Sequence, residues 1–421
     1  MTNWKEYKLG ELLGKKGYIR GPFGSALRRT EMKSEGYAVY EQQHAIYNTR
    51  DFRYFIDENK FSELSRFSIK ANDLIISCSG TVGEVSIINK DDPQGIISQA
   101  LLTLRPNLDL VKPKFLYYFF KTRNGHNQLL SASHGSVQVN IAKREVVESI
   151  PVFVPDIETQ DSIIEILSSL DDKIELNNKI NQELENLAQT LFKQWFIDFE
   201  FPNENGEPYK SSGGEMVDNE LGEIPKGWEV KSLDEIAVIN LGGTPSRNKD
   251  EYWSGNIPWV NSGAINENYI LNAVEFITEL GLQKSSTKLI PKYSTLIAIT
   301  GATLGQVSYS LIDACYNQSV ISLASKKSIN EFLHLLINSI IPELVKHQTG
   351  GAQQHINKGN VENFKVLIPS IELLTYFKSV VSDIYLQIEY NLRESQELTR
   401  LRDTLLPKLI SGELEVNDVK F

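Results

Sequence analysis

The stretch GTVGEVS (residues 80–86) returns more than two hundred residues later as ATLGQVS (302–308). An internal repeat constrains the fold more than any local pattern does, because each copy must build and bury a core of its own. The echo extends in both directions. DLIISCSG (73–80) answers TLIAITGA (295–302), and the same spacing of 222 carries Thr81 onto Thr303, Gly83 onto Gly305 and Ser86 onto Ser308. SQALLTL (98–104) answers NQSVISL (317–323), HGSVQVNIAKREV (134–146) answers GGAQQHINKGNV (350–361), with Val146 falling on Val361, and WKEYKLGEL (4–12) answers WEVKSLDEI (228–236). The chain is two diverged copies of one unit.

The ends of the copies match best. From Pro155 and Pro369 a spacing of 214 holds without a gap, placing Ile174 on Ile388, Asn177 on Asn391, Leu184 on Leu398 and Leu191 on Leu405. Each unit is therefore a variable globule followed by an arm in fixed register. In the first arm Ile163, Leu167, Leu170, Ile174, Asn177, Asn181, Leu184, Ala188, Leu191 and Trp195 recur in steps of four and three, without Pro or Gly between them. That is a heptad seam, and some forty residues of helix make a rod of roughly 60 Å that needs a partner helix. The second arm supplies one, and a twofold relation between the copies would run the two arms antiparallel. Asn177 and Asn391 would then meet near the dyad and fix register; the alternative is two surface asparagines in a slack turn.

Short β-branched runs at 74–77, 85–88, 95–103 and 296–300, broken by Gly and Pro, read as strands, with helices at 113–123 and 331–345. The globules are thus mixed α/β. The glycines of the repeated turn permit tight backbone, and Thr81 or Thr303 would cap it.

At 421 residues the length suits two to four domains, and two cysteines point to a reducing compartment. The N-terminal segment has charges where a signal peptide needs an apolar run, and no stretch of eighteen apolar residues occurs. The expectation is a soluble cytoplasmic protein. The net charge of −11 is unevenly spread: residues 1–155 carry +5, residues 156–224 carry −13, residues 225–368 balance, and residues 369–421 carry −3. A polyanion would meet the local field of the globules, not the global charge.

The sequence carries none of the common motifs of bond-making chemistry. Neither copy of the turn has the lysine of a phosphate-binding GxxxxGK[ST] loop, and the dinucleotide pattern GxGxxG is absent from both. The six histidines and two cysteines show no metal-ligand spacing, and neither a GxSxG elbow nor an HExxH helix occurs. No Asp/Asn-Pro-Pro-aromatic tetrapeptide of amino-methylating DNA enzymes is present. The motifs assign no catalytic residue, metal or cofactor to the chain.

With the repeat and the turn in place, the arm phrases LDDKIELNNKINQELENLAQTLFKQWF (170–196), ELGEIPKGWEVKSLDEI (220–236) and LRDTLLPKLISGEL (401–414) resemble the DNA-specificity subunit of type I restriction-modification enzymes. The likeness covers essentially the whole chain. It implies two pseudo-twofold-related α/β target-recognition domains, 1–155 and 225–368, joined by two long antiparallel coiled-coil spacer helices, 156–200 and 369–421, with a linker at 201–224. It implies a non-catalytic subunit that binds double-stranded DNA and recruits two methyltransferase subunits and, for cleavage, two translocating endonuclease subunits. S-adenosylmethionine would sit on the methyltransferase. One departure is visible: the Glu-Gln that opens such an arm is kept as Glu158 and Gln160, but Leu373 and Leu374 stand in the second arm.

Base readout needs side chains that reach base edges, while cations and amides on phosphates set position. In the first domain the candidates are Lys15, Lys16, Arg20, Arg28 and Arg29, then Gln42, Gln43 and His44, the turn residues Ser79 and Thr81, and Gln138, Lys143 and Arg144. In the second they are Thr244, Ser246, Arg247, Asn261, Ser262, Thr300, Thr303, Gln353, Gln354, His355 and Lys358. The spacer and partner set is Ile163, Leu170, Asn177, Leu184, Leu191, Asn391, Leu398 and Leu405, together with Trp195 and Phe196, which either dock a methyltransferase helix or pack onto the next domain. Two rival classes are a fused enzyme, which predicts a cofactor motif, and a coiled-coil scaffold, which predicts neither a basic globule nor a repeated turn.

Overall fold

The computed structural model describes residues 4–23, 26–131, 140–220, 222–346 and 355–419. It forms two compact units, residues 1–174 with 396–421, and residues 175–395.

In the first unit, strands Leu13–Arg20, Leu101–Pro106, Leu74–Ser77 and Val85–Ile87 pair in that order in an antiparallel sheet. Phe55–Ile56, Tyr37–Tyr40 and Gly95–Ile97 make a second sheet, whose last two strands are parallel. The apolar run at 95–103 is therefore two strands in two sheets, parted by a turn in which Leu101 N–H donates to Ser98 O (3.1 Å). Leu74, Ile75 and Ile76 are buried on both faces, which is why their run does not alternate. Helix Pro113–Lys121 starts on a proline suited to a first helical turn and buries Phe115, Leu116, Tyr118, Phe119 and Phe120.

The second unit repeats this plan: Ala237–Leu241, Val320–Ser325, Thr295–Ala298 and Val307–Ser310 pair in order, with an added edge strand Tyr269–Ile270. Glu275–Ile277, Trp253–Val260 and Cys315–Tyr316 make the smaller sheet. Helix Asn330–Lys346 takes the place of Pro113–Lys121.

Hydrogen bonding corrects the alignment of the copies at two places. Gly83 N–H donates to Ser77 O (2.9 Å) and Gly305 N–H to Ala298 O (2.8 Å), while Ile88 N–H donates to Asp73 O and Ser310 N–H to Ser294 O. The first strand of the repeat thus runs at a spacing of 221 and the second at 222, with one extra residue in the second turn. Gly80 (φ 65°) stands with Gly301 (φ 72°), and Gly83 (φ 90°) with Gly305 (φ 82°), so the left-handed positions coincide. The extra residue falls among Ala302, Thr303 and Leu304, between the two matched glycines. The other correction concerns the segment before Pro155. Val147 and Val361 are both fully buried, whereas Val146 is exposed, so the spacing of 214 already holds here. Helices Arg144–Glu148 and Lys358–Glu362 then coincide, each with the same ion pair, Arg144 to Glu148 (2.8 Å) and Lys358 to Glu362 (2.9 Å).

The long helices are Ile157–Phe192 and Ile371–Ser411. Ile163, Leu167 and Leu170 are buried in the first unit's core with Leu406 and Leu409, and Leu405 packs against it. In the second unit Leu184 and Leu191 lie against a core that holds Ala188, Phe192, Val381 and Ile388; Leu398, in the first unit, is half-buried. Within that unit Asn177 Nδ2 donates to Glu394 (2.7 Å), to Ser395 Oγ (3.2 Å) and to Asn391 O (3.4 Å), and Asn391 Nδ2 donates to Asn181 Oδ1 (2.8 Å). The later residues of one helix thus face the earlier ones of the other, which is antiparallel pairing. Both asparagines are buried, so they are not in a slack turn.

Two expectations about the arm change. The α-helix gives way at Lys193–Ile197 to a wide π-turn, which puts consecutive Trp195 and Phe196 inside. Phe196 lies 4.7 Å from the Phe377 ring and 4.9 Å from Phe332, and Trp195 lies 5.3 Å from Phe377. Both are core residues of the second unit, with no face left for a partner helix. Residues 201–224 are not a bare linker: Phe201 stacks on Tyr209 (4.5 Å) and Trp228 (5.6 Å), and Met216–Asn219 pairs with Gly222–Pro225 as a hairpin. Among the described residues, no helix is long and apolar enough to cross a membrane.

Candidate nucleic-acid interface

In the first unit the strand Leu13–Arg20 breaks step with its partner, Leu13 facing Pro106 and Tyr18 facing Leu104, so residues 14–17 bulge out and Lys16 takes a positive φ of 60°. The bulge exposes Lys15 and Lys16 at a groove of about 740 Å³, lined also by Tyr18, Arg20, Phe23, Arg66, Lys70, Arg105 and Arg144. Tyr18, Arg20 and Arg144 continue into an adjoining groove of about 380 Å³ with Lys143. The Arg144 guanidinium lies 5.2 Å from the Tyr18 ring, and its pairing with Glu148 holds its pKa above the usual guanidinium value. Burial pushes the Tyr18 hydroxyl up. Arg28 and Arg29 are exposed on the turn Arg29–Glu31 and line neither groove.

Helix Gln42–Ile46 meets the repeated turn: Ser79 Oγ donates to Gln42 Oε1 (2.9 Å), joining residues far apart in sequence. Thr81 is exposed beside them, its carbonyl accepting from Ser77 Oγ (2.6 Å). Gln43 donates to Asp51 O (3.1 Å). His44 departs from the expected role. It is fully buried, stacks on Phe52 at 4.5 Å, accepts from Glu41 N–H at Nδ1 (2.7 Å) and sits 3.1 Å from Asp51 O at Nε2. Burial lowers its pKa. The imidazole holds the loop in shape and cannot reach a ligand.

In the second unit Thr244 Oγ1 donates to Gln318 Oε1 (2.6 Å), and Asn317 Nδ2 donates to Ser262 Oγ (3.4 Å). Asn261 caps the turn Ser262–Asn266 by accepting from Gly263 N–H (2.8 Å). Ser246 O accepts from Trp253 Nε1 (3.1 Å), and the Arg247 guanidinium lies 3.7 Å over the Trp253 ring while gripping Glu275 with both nitrogens. Arg247 is thus already committed to a carboxylate. Thr300 bridges to His355 through backbone, Thr303 O accepts from Gln306 N–H (2.9 Å), and Lys358 pairs with Glu362. Gln138, Gln353 and Gln354 lie outside the described residues.

The turn at 98–100 and its counterpart at 317–319 escaped the sequence-based choice of site residues. A Cβ on Gly21 would lie 1.9 Å from Ser98 O, and one on Gly242 would lie 2.1 Å from Asn317 O, so in each unit only glycine lets the first strand's end approach this turn. Gln99 is exposed, and Asn317 and Gln318 bond Ser262 and Thr244. The signal was the repeat of Ser98-Gln99-Ala100 as Asn317-Gln318-Ser319. Arg66 and Lys70 were also missed, because neither lies in a basic run. Each unit therefore gathers polar, neutral side chains from three separated loops, and the first adds a cluster of cations. Such a surface suits base edges and phosphates rather than bond-making chemistry.

Comparisons with known proteins agree. A family model described as type I restriction modification DNA specificity domain matches residues 1–186 and 225–397. The type I restriction enzyme HindI specificity subunit of Haemophilus influenzae is 26% identical, the match covering 98% of this chain and 100% of that protein. The type I restriction enzyme MjaIX specificity subunit of Methanocaldococcus jannaschii is 30% identical, over 74% of this chain and 71% of that one. Among solved structures, the S subunit of a type I restriction-modification system from M. genitalium shares the fold with a TM-score of 0.61, at 16% identity over 97% of this chain and 96% of that one. On the matched repeats and these relatives, the chain belongs to the type I restriction-modification DNA specificity family.

Proposed function

We propose that each unit reads one half of a split, asymmetric DNA target, as the non-catalytic specificity subunit of a type I restriction-modification complex. One observation carries this reading: the same loops are built twice on the same strands but present different side chains, Gln42, Ser79 and Ser98 in one unit where Ser262, Thr300 and Asn317 stand in the other. Equal scaffolds with unequal contact residues suit two unlike half-sites. Lys15, Lys16, Arg20, Lys143 and Arg144 would hold phosphates in the first unit, and Asn261, Thr300, Thr303, His355 and Lys358 would complete the second surface. Recognition domains would occupy 1–155 and 225–368. The helices at 156–200 and 369–421 would act as spacers relating the units by a pseudo-twofold axis, their register fixed by the buried asparagines. Two methyltransferase subunits and, for restriction, two endonuclease/translocase subunits would assemble on this subunit in the cytoplasm, S-adenosylmethionine being bound by the methyltransferase.

The test is to co-express the chain with its methyltransferase subunit in a methylation-free host and map methyladenine across the genome. Two unlike short sequences around one fixed gap are expected. A continuous motif, or no new methylation from a stable complex, would withdraw the reading.

A further inference from the structure

The two units differ in where their positive charge is free. Lys15, Lys16, Arg66 and Lys70 are exposed at the first unit's groove. Among the described residues, none of the four has a carboxylate within ion-pair reach. One nitrogen of Arg20, Nη1, is buried in the same wall with no hydrogen-bond partner. Cations crowded without counter-charges repel one another, and their summed field falls on whatever enters the groove. Exposed Phe23 lies beside them, its ring 6.0 Å from the Arg20 guanidinium.

Equivalent positions in the second unit are neutral. The paired strands put Leu241 where Arg20 stands and Ala324 where Arg105 stands. The bonds Ile69 N–H to Gly95 O and Ile290 N–H to Ala314 O put Pro291 at Lys70 and Thr287 at Arg66. Where residues 14–17 bulge out in the first unit, the second unit's strand is regularly paired, with Val238 alone between Ala237 and Ile239 and opposite Ala324. Of the cations near the second unit's contact loops, Arg247 is paired with Glu275 and Lys358 with Glu362, while Lys249 Nζ donates to the Tyr252 hydroxyl (3.0 Å) and Lys288 Nζ to Asn240 Oδ1 (3.1 Å).

We infer that the two recognition units divide the work unequally: the groove of Lys15, Lys16, Arg20, Arg66 and Lys70 grips the phosphate backbone of DNA, and the second unit discriminates sequence with little phosphate contact. This rests on the DNA reading above. The partner is a phosphate polyanion because the groove offers several unneutralised donors in a row and aromatic edges, without an acidic side chain lining it.

The experiment uses the full chain assembled with its methyltransferase partner and a labelled duplex of arbitrary sequence, titrated at several salt concentrations. Lys15, Lys16, Arg66 and Lys70 are changed together to Gln; a second variant changes Lys284, Lys292, Lys326 and Lys327, four exposed cations of the second unit, to Gln. Equal unfolding midpoints establish that both variants are folded. Each phosphate contact adds about 0.9 to the slope of log affinity against log salt. The first variant is expected to lower that slope by about 3 to 4 and weaken binding at least tenfold, while the second shifts the slope by less than about 1. Equal losses in both variants, or an unchanged slope in the first, would overturn the division while leaving DNA binding intact. A parent complex with no salt-dependent duplex binding would overturn the DNA reading itself, and the division with it.

Discussion

Gln160 and Leu374 occupy the same place, five residues past the prolines that precede the two long helices, and they hold those helices by opposite means. Gln160 is fully buried, accepting from Lys112 N–H (2.8 Å) and donating to Pro155 O (2.9 Å) and Leu110 O (3.2 Å). Leu374 is buried in an apolar cluster with Phe377, Phe332 and Trp228. In the first unit one amide satisfies three backbone groups that burial would otherwise orphan. In the second, a bulky aromatic core leaves only apolar surface to cover. The departure at the start of the second arm is a difference in how each globule is fastened to its own helix.

Exchanging the two residues breaks the comparison most severely where the environment is apolar. Leu374→Gln forfeits a buried leucine and strands an amide, a loss of about 3–5 kcal/mol, read as a lower denaturant midpoint for the second unit's transition. Gln160→Leu strands the groups at Lys112, Leu110 and Pro155 and should cost about 2–4 kcal/mol in the first unit. A neutral outcome for either exchange would mean that the start of the helix carries no load.

Protons give a subtler contrast. His334 is buried among Tyr269, Tyr309 and Tyr385, its Nδ1 3.0 Å from the Tyr385 hydroxyl, and desolvation pushes its pKa down to about 3. Below about pH 6.5 the unfolded chain binds a proton that the folded chain refuses. The contribution of the neutral imidazole is therefore complete above pH 6.5 and lost on acidification toward pH 3, by at most ~1.4 kcal/mol per pH unit. In the first unit Tyr117 takes the like place on its helix, and its hydroxyl is pushed up by burial. His44 adds a slope of the same sign there, offset in part by its backbone bonds. Hydrogen exchange should show the second unit loosening first between pH 6 and pH 4, and His334→Phe should flatten its profile. An unchanged profile in that variant would assign the acid response to carboxylates.

The smallest effect is expected where the copies agree. Arg144 and Lys358 make the same exposed pair one helical turn apart, so replacing either with Ala should change stability by less than about 0.5 kcal/mol. Loss of DNA affinity should be greater for Arg144→Ala, which borders the cationic grooves. Equal losses would argue against unequal charge.

What was legible in the sequence had a period or a duplicate behind it. Heptad spacing located the two helices and the buried asparagines, because a narrow seam leaves few positions for polar side chains. The tandem copies gave the two units and most of their strands. One-residue registers were hidden: TLIAITGA and DLIISCSG align equally well to the eye, and only the ladder through Ser77 and Ala298 shows the extra residue in the second turn. The adjacent valines 146 and 147 posed the same ambiguity until burial chose Val147. Composition could not say that His44 and Arg247 were already occupied, since each is silenced by a residue distant in sequence or folded back upon it. Trp195 and Phe196 hid behind a change of helical pitch that no heptad count contains.

The central claim is that the two units read independently, and methyladenine mapping of two paired variants tests it most directly. Gln42→Ala with Ser79→Ala should relax bases in one half of the split motif, Asn261→Ala with Ser262→Ala should relax bases in the other, and each should leave the opposite half and the gap unchanged. If either pair altered both halves, or changed the gap, the units would not be separate readers and the account would fail.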